Sequence, residues 1–246
     1  MFHFHSQSLR AFDANLDRAA EGLRVMEDVA RFCFNSAVIS SHLKELRHRL
    51  LTTSRLSTVE LMSARRATDD VGRETAVIKD RADNLLDTVT ANARRVEQSV
   101  RVLEELSRLP GAASSSKDFE GIRFAVYEAE KELVGIISRQ TKISCFGDNY
   151  YITRNIDDLP AGSLSAGIVV QIDPGDSNRK TFWHTVREAD KHRKDTGALL
   201  IVGQFIDIAQ AIKADGVAID DGSLPPAVVR GLLSIEQLIG YAATDL

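Results

Sequence analysis

The 246-residue chain carries 31 Lys and Arg against 35 Asp and Glu, a net charge of −4, with 27% charged and 6% aromatic residues. That is length enough for one large or two modest cored domains, without the basic excess that nucleic acid demands or an apolar run near the ~18 residues that span a bilayer. Two cysteines, Cys33 and Cys145, with no CxxC spacing argue against a disulfide framework, and the opening MFHFHSQSLRAF lacks the order of a secretory signal, so a cytoplasmic setting is expected.

His3 and His5 flank Phe4 in a short lead but have no third ligand for a metal. Asp13 is read as the N-cap of a first helix that runs to about Phe34. The window beginning there, DANLDRAAEGLRVMEDVAR, recurs 77 residues later: Ala14, Asn15, Arg18, Arg24, Val25, Glu27 and Arg31 fall on Ala91, Asn92, Arg95, Arg101, Val102, Glu104 and Arg108. A second match follows one helix on, where Leu43, Leu46 and Arg47 fall on Phe119, Ile122 and Arg123. The first ~140 residues therefore read as a duplicated helical hairpin.

Ala19, Leu23 and Met26, with Val96, Val100 and Leu103, repeat at the i, i+4, i+7 interval of one helix face and should form core. Arg24, Glu27 and Arg31, like Arg101, Glu104 and Arg108, lie three and four apart and can pair along the helix. Asn15 and Arg18 sit at the margin of the apolar face, and asparagine is a mediocre helix former. Either their amides make a capping or packing bond, or Asn15/Arg18 and Asn92/Arg95 converge on one anionic ligand.

A second helix is expected from about His42 to Thr53, opened by Ser40–Ser41. The connection at 54–80 gathers Arg65, Arg66, Thr68, Asp69, Asp70, Val71, Gly72 and Arg73, either an ordinary turn or a loop carrying phosphate and Mg²⁺ contacts. The third helix spans about Asp83 to Leu109 and stops at Pro110–Gly111; the fourth runs from about Phe119 to Ser138. The bias to Arg over Lys is 17 to 4 in residues 1–140 and 5 to 5 afterwards, and forked guanidinium groups suit phosphate or carboxylate.

From Asn149 short apolar runs alternate with helical ones. NYYIT, GIVVQI, ALLIVG, GVAI and LIGYAA read as strands; FWHTVREADKHRK, IDIAQAIKA and PAVVRGLL read as helices. The expected fold is α + α/β: a helical domain over 1–140, then a partial (β/α) barrel of about five parallel strands over 149–246. Its open edge should be covered by the helical domain or by a second copy of the chain in a homodimer.

The segments DANLDRAAEGLRVMEDVARF (13–32), LKELRHRL (43–50), DDVG (69–72) and TANARRVEQSVRVLEELSRL (90–109) closely resemble the helical domain fused ahead of the barrel in some bacterial thiamine phosphate synthases. Similar domains belong to a non-ribokinase type of hydroxymethylpyrimidine phosphate kinase. YYIT (150–153), VVQI (169–172), IDIAQAIKADGVAI (206–219), LPPAVVR (224–230) and IGYAAT (239–244) look like the first half of the synthase barrel. The resemblance implies a cytoplasmic enzyme of thiamine biosynthesis using Mg²⁺ and ATP on a small phosphorylated pyrimidine, with no nucleic-acid or membrane partner. Arg18 and Arg95 would contact phosphate, helped by Arg24 and Arg101; Asn15 and Asn92 would read the pyrimidine edge, and Asp70 or Glu27 would hold Mg²⁺.

The chain departs from that family where the chemistry lies. Arg66 and Ala67 replace an acid and a hydroxyl before DVG. Gln171 remains, but Asp173 and Gly175 stand where arginine and lysine are expected, Gly203–Gln204 where Asn-Asp is expected, and Ser223 where a metal aspartate is expected. The barrel half is therefore expected to make no thiamine phosphate. No GxGxxG or GxxxxGK[ST] occurs in residues 1–140, so kinase activity is implied by resemblance alone. A non-catalytic precursor-binding or regulatory protein is the alternative, and a dimerisation scaffold a third.

Overall fold

A computed structural model describes residues 6–65, 83–160, 162 and 164–242. His3, His5 and the 66–73 segment with Asp70 lie outside them. The chain divides into two compact units, Met1–Val134 and Gly135–Leu246.

Among the described residues the first unit contains helices and no strand. Helix α1 covers Ser6–Asp28 and passes into a π-turn, Val29–Cys33; α2 covers Ala37–Thr53, α3 Thr58–Ala64, α4 Leu85–Leu106 and α5 Ser116–Ser144, whose last residues belong to the second unit. Leu16, Ala19, Leu23 and Met26 of α1 are buried, as are Ala93, Val96, Val100 and Leu103 of α4, Leu43, Leu46 and Leu50 of α2, and Phe119, Ile122 and Val126 of α5. Phe12 and Phe119 meet edge to face at 5.8 Å, a favoured geometry for buried rings. At Gly22 helix α4 comes close to α1: a Cβ there would lie 2.6 Å from Val96 Cγ2 and 3.2 Å from the Asn92 carbonyl.

Several helix ends differ from their sequence reading. Asp13 is no cap but an interior residue of α1, buried and bonded to Arg65 at 3.0 Å, so its carboxylate is used across the unit rather than on its own backbone. Helix α2 opens on Ser36, which accepts from the Ile39 amide, four residues before the Ser40–Ser41 pair. The 54–80 connection holds α3, set by the reciprocal Ser57–Glu60 capping box. Arg65 also pairs with Asp17 at 2.7 Å, tying the end of α3 to α1.

The second unit holds five parallel strands in sequence order: β1 Tyr150–Thr153, β2 Val169–Ile172, β3 Leu199–Gly203, β4 Gly216–Asp220 and β5 Leu238–Ala242. Helices α6 Arg179–Thr196, α7 Ile206–Ala211 and α8 Pro226–Leu232 connect the later strands, while among the described residues the β1–β2 connection holds only a 3₁₀ turn, Ile156–Asp158. Strand side chains alternate between two clusters. Val170, Ile172, Leu200, Val202, Val217 and Ile219 pack with Phe182, Val186 and Val229 of the helices; Val169, Ile201 and Leu238 form a smaller cluster on the opposite face. At the bottom of the sheet Asp215 gathers Arg193, Lys142 at 3.3 Å and the Leu200 amide at 3.0 Å, and buried Gln237 bonds the Ala209 and Ala214 carbonyls.

Candidate functional site

The helical unit places two glutamates 77 residues apart in similar surroundings. Glu27 is buried and takes Arg24 at 3.3 Å and Arg47 at 3.1 Å. Glu104 is buried and takes Arg101 at 2.7 Å, Arg108 at 2.7 Å and Arg123 at 3.2 Å. Burial alone would raise the Glu104 carboxyl, but Arg123 and Arg101 outweigh it and hold the group below the usual carboxylate range.

The third arginine of the first set behaves differently. Arg31 lies in the π-turn and meets no carboxylate among the described residues; its guanidinium stacks 4.8 Å from the Phe32 ring centre. A π-turn bonds i to i+5 instead of i to i+4, so a residue four on from Glu27 no longer stands over it. Arg31 instead lines an open cavity of about 490 Å³ with Lys44, Ser40, Ser41, Asn35 and Ser36. Two cations, three serine hydroxyls and the first turn of α2, whose amides have no helical acceptor, face this space, and the arginine-paired Glu27 lines it as well. The sequence reading had placed Arg31 in a surface ladder and Ser40–Ser41 at a cap; the break in helical period that moves them depends on packing.

The residues expected to grip substrate are arranged otherwise. Asn15 and Asn92 are half-buried, and each turns its Nδ2 back onto its own helix, to the Ala11 carbonyl at 2.7 Å and the Thr88 carbonyl at 2.8 Å. Arg18 is exposed without an ion-pair partner among the described residues, and exposed Arg95 reaches Asn92 Oδ1 at 3.5 Å. No hydrogen bond joins the Asn15/Arg18 pair to the Asn92/Arg95 pair. Arg24 is committed to Glu27 and Asp28, and Arg101 to Glu104 and Glu105.

Glu27 does not fit the Mg²⁺ role: both of its oxygens are taken by guanidinium groups. Among the described residues no group of three or more His, Cys, Asp and Glu is placed to hold a metal.

In the β/α unit the C-terminal ends of the strands, where such sheets bind ligands, open on two cavities that share Gln204 and Asp220. The larger, about 670 Å³, includes Arg179, Phe205, Asp207 and Ser223. Arg179 is its cation, and Asp207 holds it through both guanidinium Nε, at 3.2 Å, and Nη2. The smaller, about 320 Å³, includes Gln171, whose Oε1 accepts from the Tyr150 hydroxyl at 2.7 Å. Asp220 accepts from Gln204 at 3.1 Å and from Ser223 at 2.9 Å. Gly203 leaves no room for a side chain, since a Cβ would lie 2.8 Å from Pro174 Cδ and 2.9 Å from the Ile172 carbonyl.

Comparison with known proteins covers both units. Residues 10–132 match the model of the ThiD2 family, and residues 150–246 match that of thiamine monophosphate synthase. The thiamine-phosphate synthase of Nostoc punctiforme is 33% identical over 244 residues, covering 96% of this chain and 67% of its own length. That of Thermosynechococcus vestitus is 32% identical over 242 residues, covering 96% and 68%. The chain belongs to the thiamine-phosphate synthase family. It spans about two thirds of the length of these relatives.

Membership places the chain among transferases of thiamine biosynthesis. No helix among the described residues is long and apolar enough to cross a membrane. Within this thiamine-phosphate synthase relative, the positions at 203, 204 and 223 that the resemblance singled out all lie at the mouth of the sheet, and Gln171 lies beside them.

Proposed function

We propose that the helical unit transfers a phosphoryl group from ATP to hydroxymethylpyrimidine phosphate, and that the β/α unit makes no thiamine phosphate itself. The observation that carries the first part is the release of Arg31 from Glu27, which leaves a guanidinium beside Lys44 in a cavity at the start of α2. Phosphoryl transfer asks a protein mainly for positioning and charge neutralisation, and this cavity offers both without a glycine-rich loop.

Arg18 and Arg95 are two further guanidiniums of the helical unit without an ion-pair partner among the described residues, and they keep a role as phosphate contacts in this reading, with Asn15 and Asn92 beside them. They belong to a second contact region, because about 20 Å of helix at 1.5 Å per residue separates Arg18 from Arg31. ATP and Mg²⁺ enter from the family resemblance. Glu27 supplies no metal ligand, since Arg24 and Arg47 take its two oxygens.

For the β/α unit the support is the charge at its mouth. Asp173 and Asp220 line it, its arginine is neutralised by Asp207, and Gly203 cannot carry a polar side chain. A diphosphate would approach carboxylates there with no unpaired cation among the described residues that line the two cavities. The alternative, a non-catalytic precursor-binding protein, is favoured by the same acidic mouth.

Full-length protein with MgATP and hydroxymethylpyrimidine phosphate should release ADP and form the pyrimidine diphosphate. Supplied with that diphosphate and thiazole phosphate, it should form no thiamine phosphate. Absence of ADP above a no-protein control overturns the first part; thiamine phosphate formation overturns the second.

A further inference from the structure

The three helices of the β/α unit pack on one face of its sheet, where Phe182 of α6, Ile208 of α7 and Val229 of α8 share one buried cluster. The cluster on the opposite face, Val169, Ile201 and Leu238, is built from strand residues alone. Parallel sheets ordinarily have both faces and their edges covered, because unpaired strand backbone and apolar side chains are costly to leave in water.

The uncovered surface gathers at the two ends of the strand order. Every residue of β2, β3 and β4 is buried or half-buried. On edge strand β1, by contrast, Tyr150 is 48% and Ile152 64% exposed, and on edge strand β5 Tyr241 is 50% exposed. Pairing with Val169 and Gln171 puts Tyr150 and Ile152 on the face that carries no helix. Leu238 lies on that face too, and so, two residues on, does Gly240, where an added Cβ would meet nothing nearer than 3.8 Å. One edge thus carries projecting side chains and the other a gap. Neither YYIT nor LIGYA holds a charge or a proline, the usual guards of an exposed edge.

We infer that two copies of the chain pair edge to edge, with β5 of one running parallel beside β1 of the other at both junctions of a two-fold pair. The sheet itself selects this occupant. Its two free edges run in the same direction, so a single rotation sets each β5 against the other copy's β1 and satisfies both rows of unpaired amides and carbonyls. Ten parallel strands then form a closed ring with no edge. A helix laid on either edge would leave those backbone groups unpaired. Tyr150 and Ile152 of one copy meet the gap at Gly240 of the other, and the uncharged strands let two chains of net charge −4 join without a carboxylate in either strand of the seam. The inference is independent of catalysis by either unit.

The test is light scattering on full-length protein during size-exclusion chromatography, loaded at about 50 µM, where a micromolar pair is mostly associated. The parent should have twice the 27.1 kDa mass of one chain. Ile152→Lys on β1 and, separately, Gly240→Lys on β5 should each run at the single-chain mass, since every junction needs both edges. Hydrogen exchange supplies a second readout. The β1 and β5 amides should exchange about tenfold faster in either variant than in the parent, while β3 amides stay protected and show that the sheet is folded. If Gly240→Lys loses protection in β3, Ala242→Lys replaces it. A parent at the single-chain mass, a folded variant that keeps twice that mass, a mass that climbs with concentration past two chains, or edge amides equally fast in parent and variants overturns the inference.

Discussion

Glu27 and Glu104 are the same residue in the same motif, and both are buried against arginines, yet their surroundings end differently. Around Glu104 the set closes, with Arg101, Arg108 and Arg123 all bonded to one carboxylate. Around Glu27 it stays open, because five residues wound as a π-turn carry Arg31 away into a cavity. A matched pair of sequences thus gives one structural knot and one free cation, and the candidate chemistry sits in the difference rather than in the shared residues.

Removing the knots should produce the largest effects on stability. Glu104→Ala leaves three guanidiniums around an empty buried position and should cost about 3 kcal/mol in urea unfolding, as broken buried pairs do. Glu27→Ala should cost less, because that carboxylate holds two guanidiniums where Glu104 holds three. Equal losses would contradict the open-versus-closed distinction.

The helix crossing gives the next contrast. Gly22→Ala forces a methyl against Val96 and the Asn92 carbonyl and should cost about 1–3 kcal/mol. Ser99, its counterpart 77 residues on, already carries a buried side chain, so Ser99→Ala should cost less. A stabilised Gly22→Ala protein would mean that the helices pack further apart.

The smallest effect is a pH dependence confined to the second set. Burial, then the hydrogen bond and charge of Glu130, push the Glu97 carboxyl up to about 7, with Arg94 and Arg123 pulling the other way. A carboxyl raised in the folded state binds more protons than when unfolded. Its contribution is therefore present below the ordinary carboxylate range and lost as pH rises through about 7. The melting temperature should be higher at pH 5.5 than at pH 8, and Glu97→Gln should reduce that difference. A Glu97→Gln protein with the same pH dependence would remove Glu97 as its cause.

Much of the fold was legible because the local signals agree. YYIT, VVQI, LLIVG, GVAI and LIGYA are short β-prone runs between turn residues, and each is a strand in the expected parallel order. The apolar stripes of α1 and α4 were legible for the same reason. Asp13 was misread because its partner, Arg65, lies 52 residues away, beyond any capping pattern. Helix α3 was missed although Ser57 and Glu60 spell its capping box, because its seven residues are too few to show a period. The free state of Arg31 had no sequence signal: Arg31 and Arg108 are identical letters, and only the π-turn separates them. At the mouth of the sheet the polar substitutions were legible, but the crowding at Gly203 depends on Pro174 and Ile172 across the loop.

The most direct measurement compares Arg31→Ala with Arg108→Ala in full-length protein, reading ADP release with saturating MgATP and varied hydroxymethylpyrimidine phosphate. Losing a charge-assisted phosphate contact should lower kcat/KM by about 100-fold for Arg31→Ala. Arg108→Ala, which loosens only the Glu104 knot, should stay near the parent value while melting at a lower temperature. Equal turnover by the two variants would contradict the account, because the π-turn would then have released an arginine to no purpose.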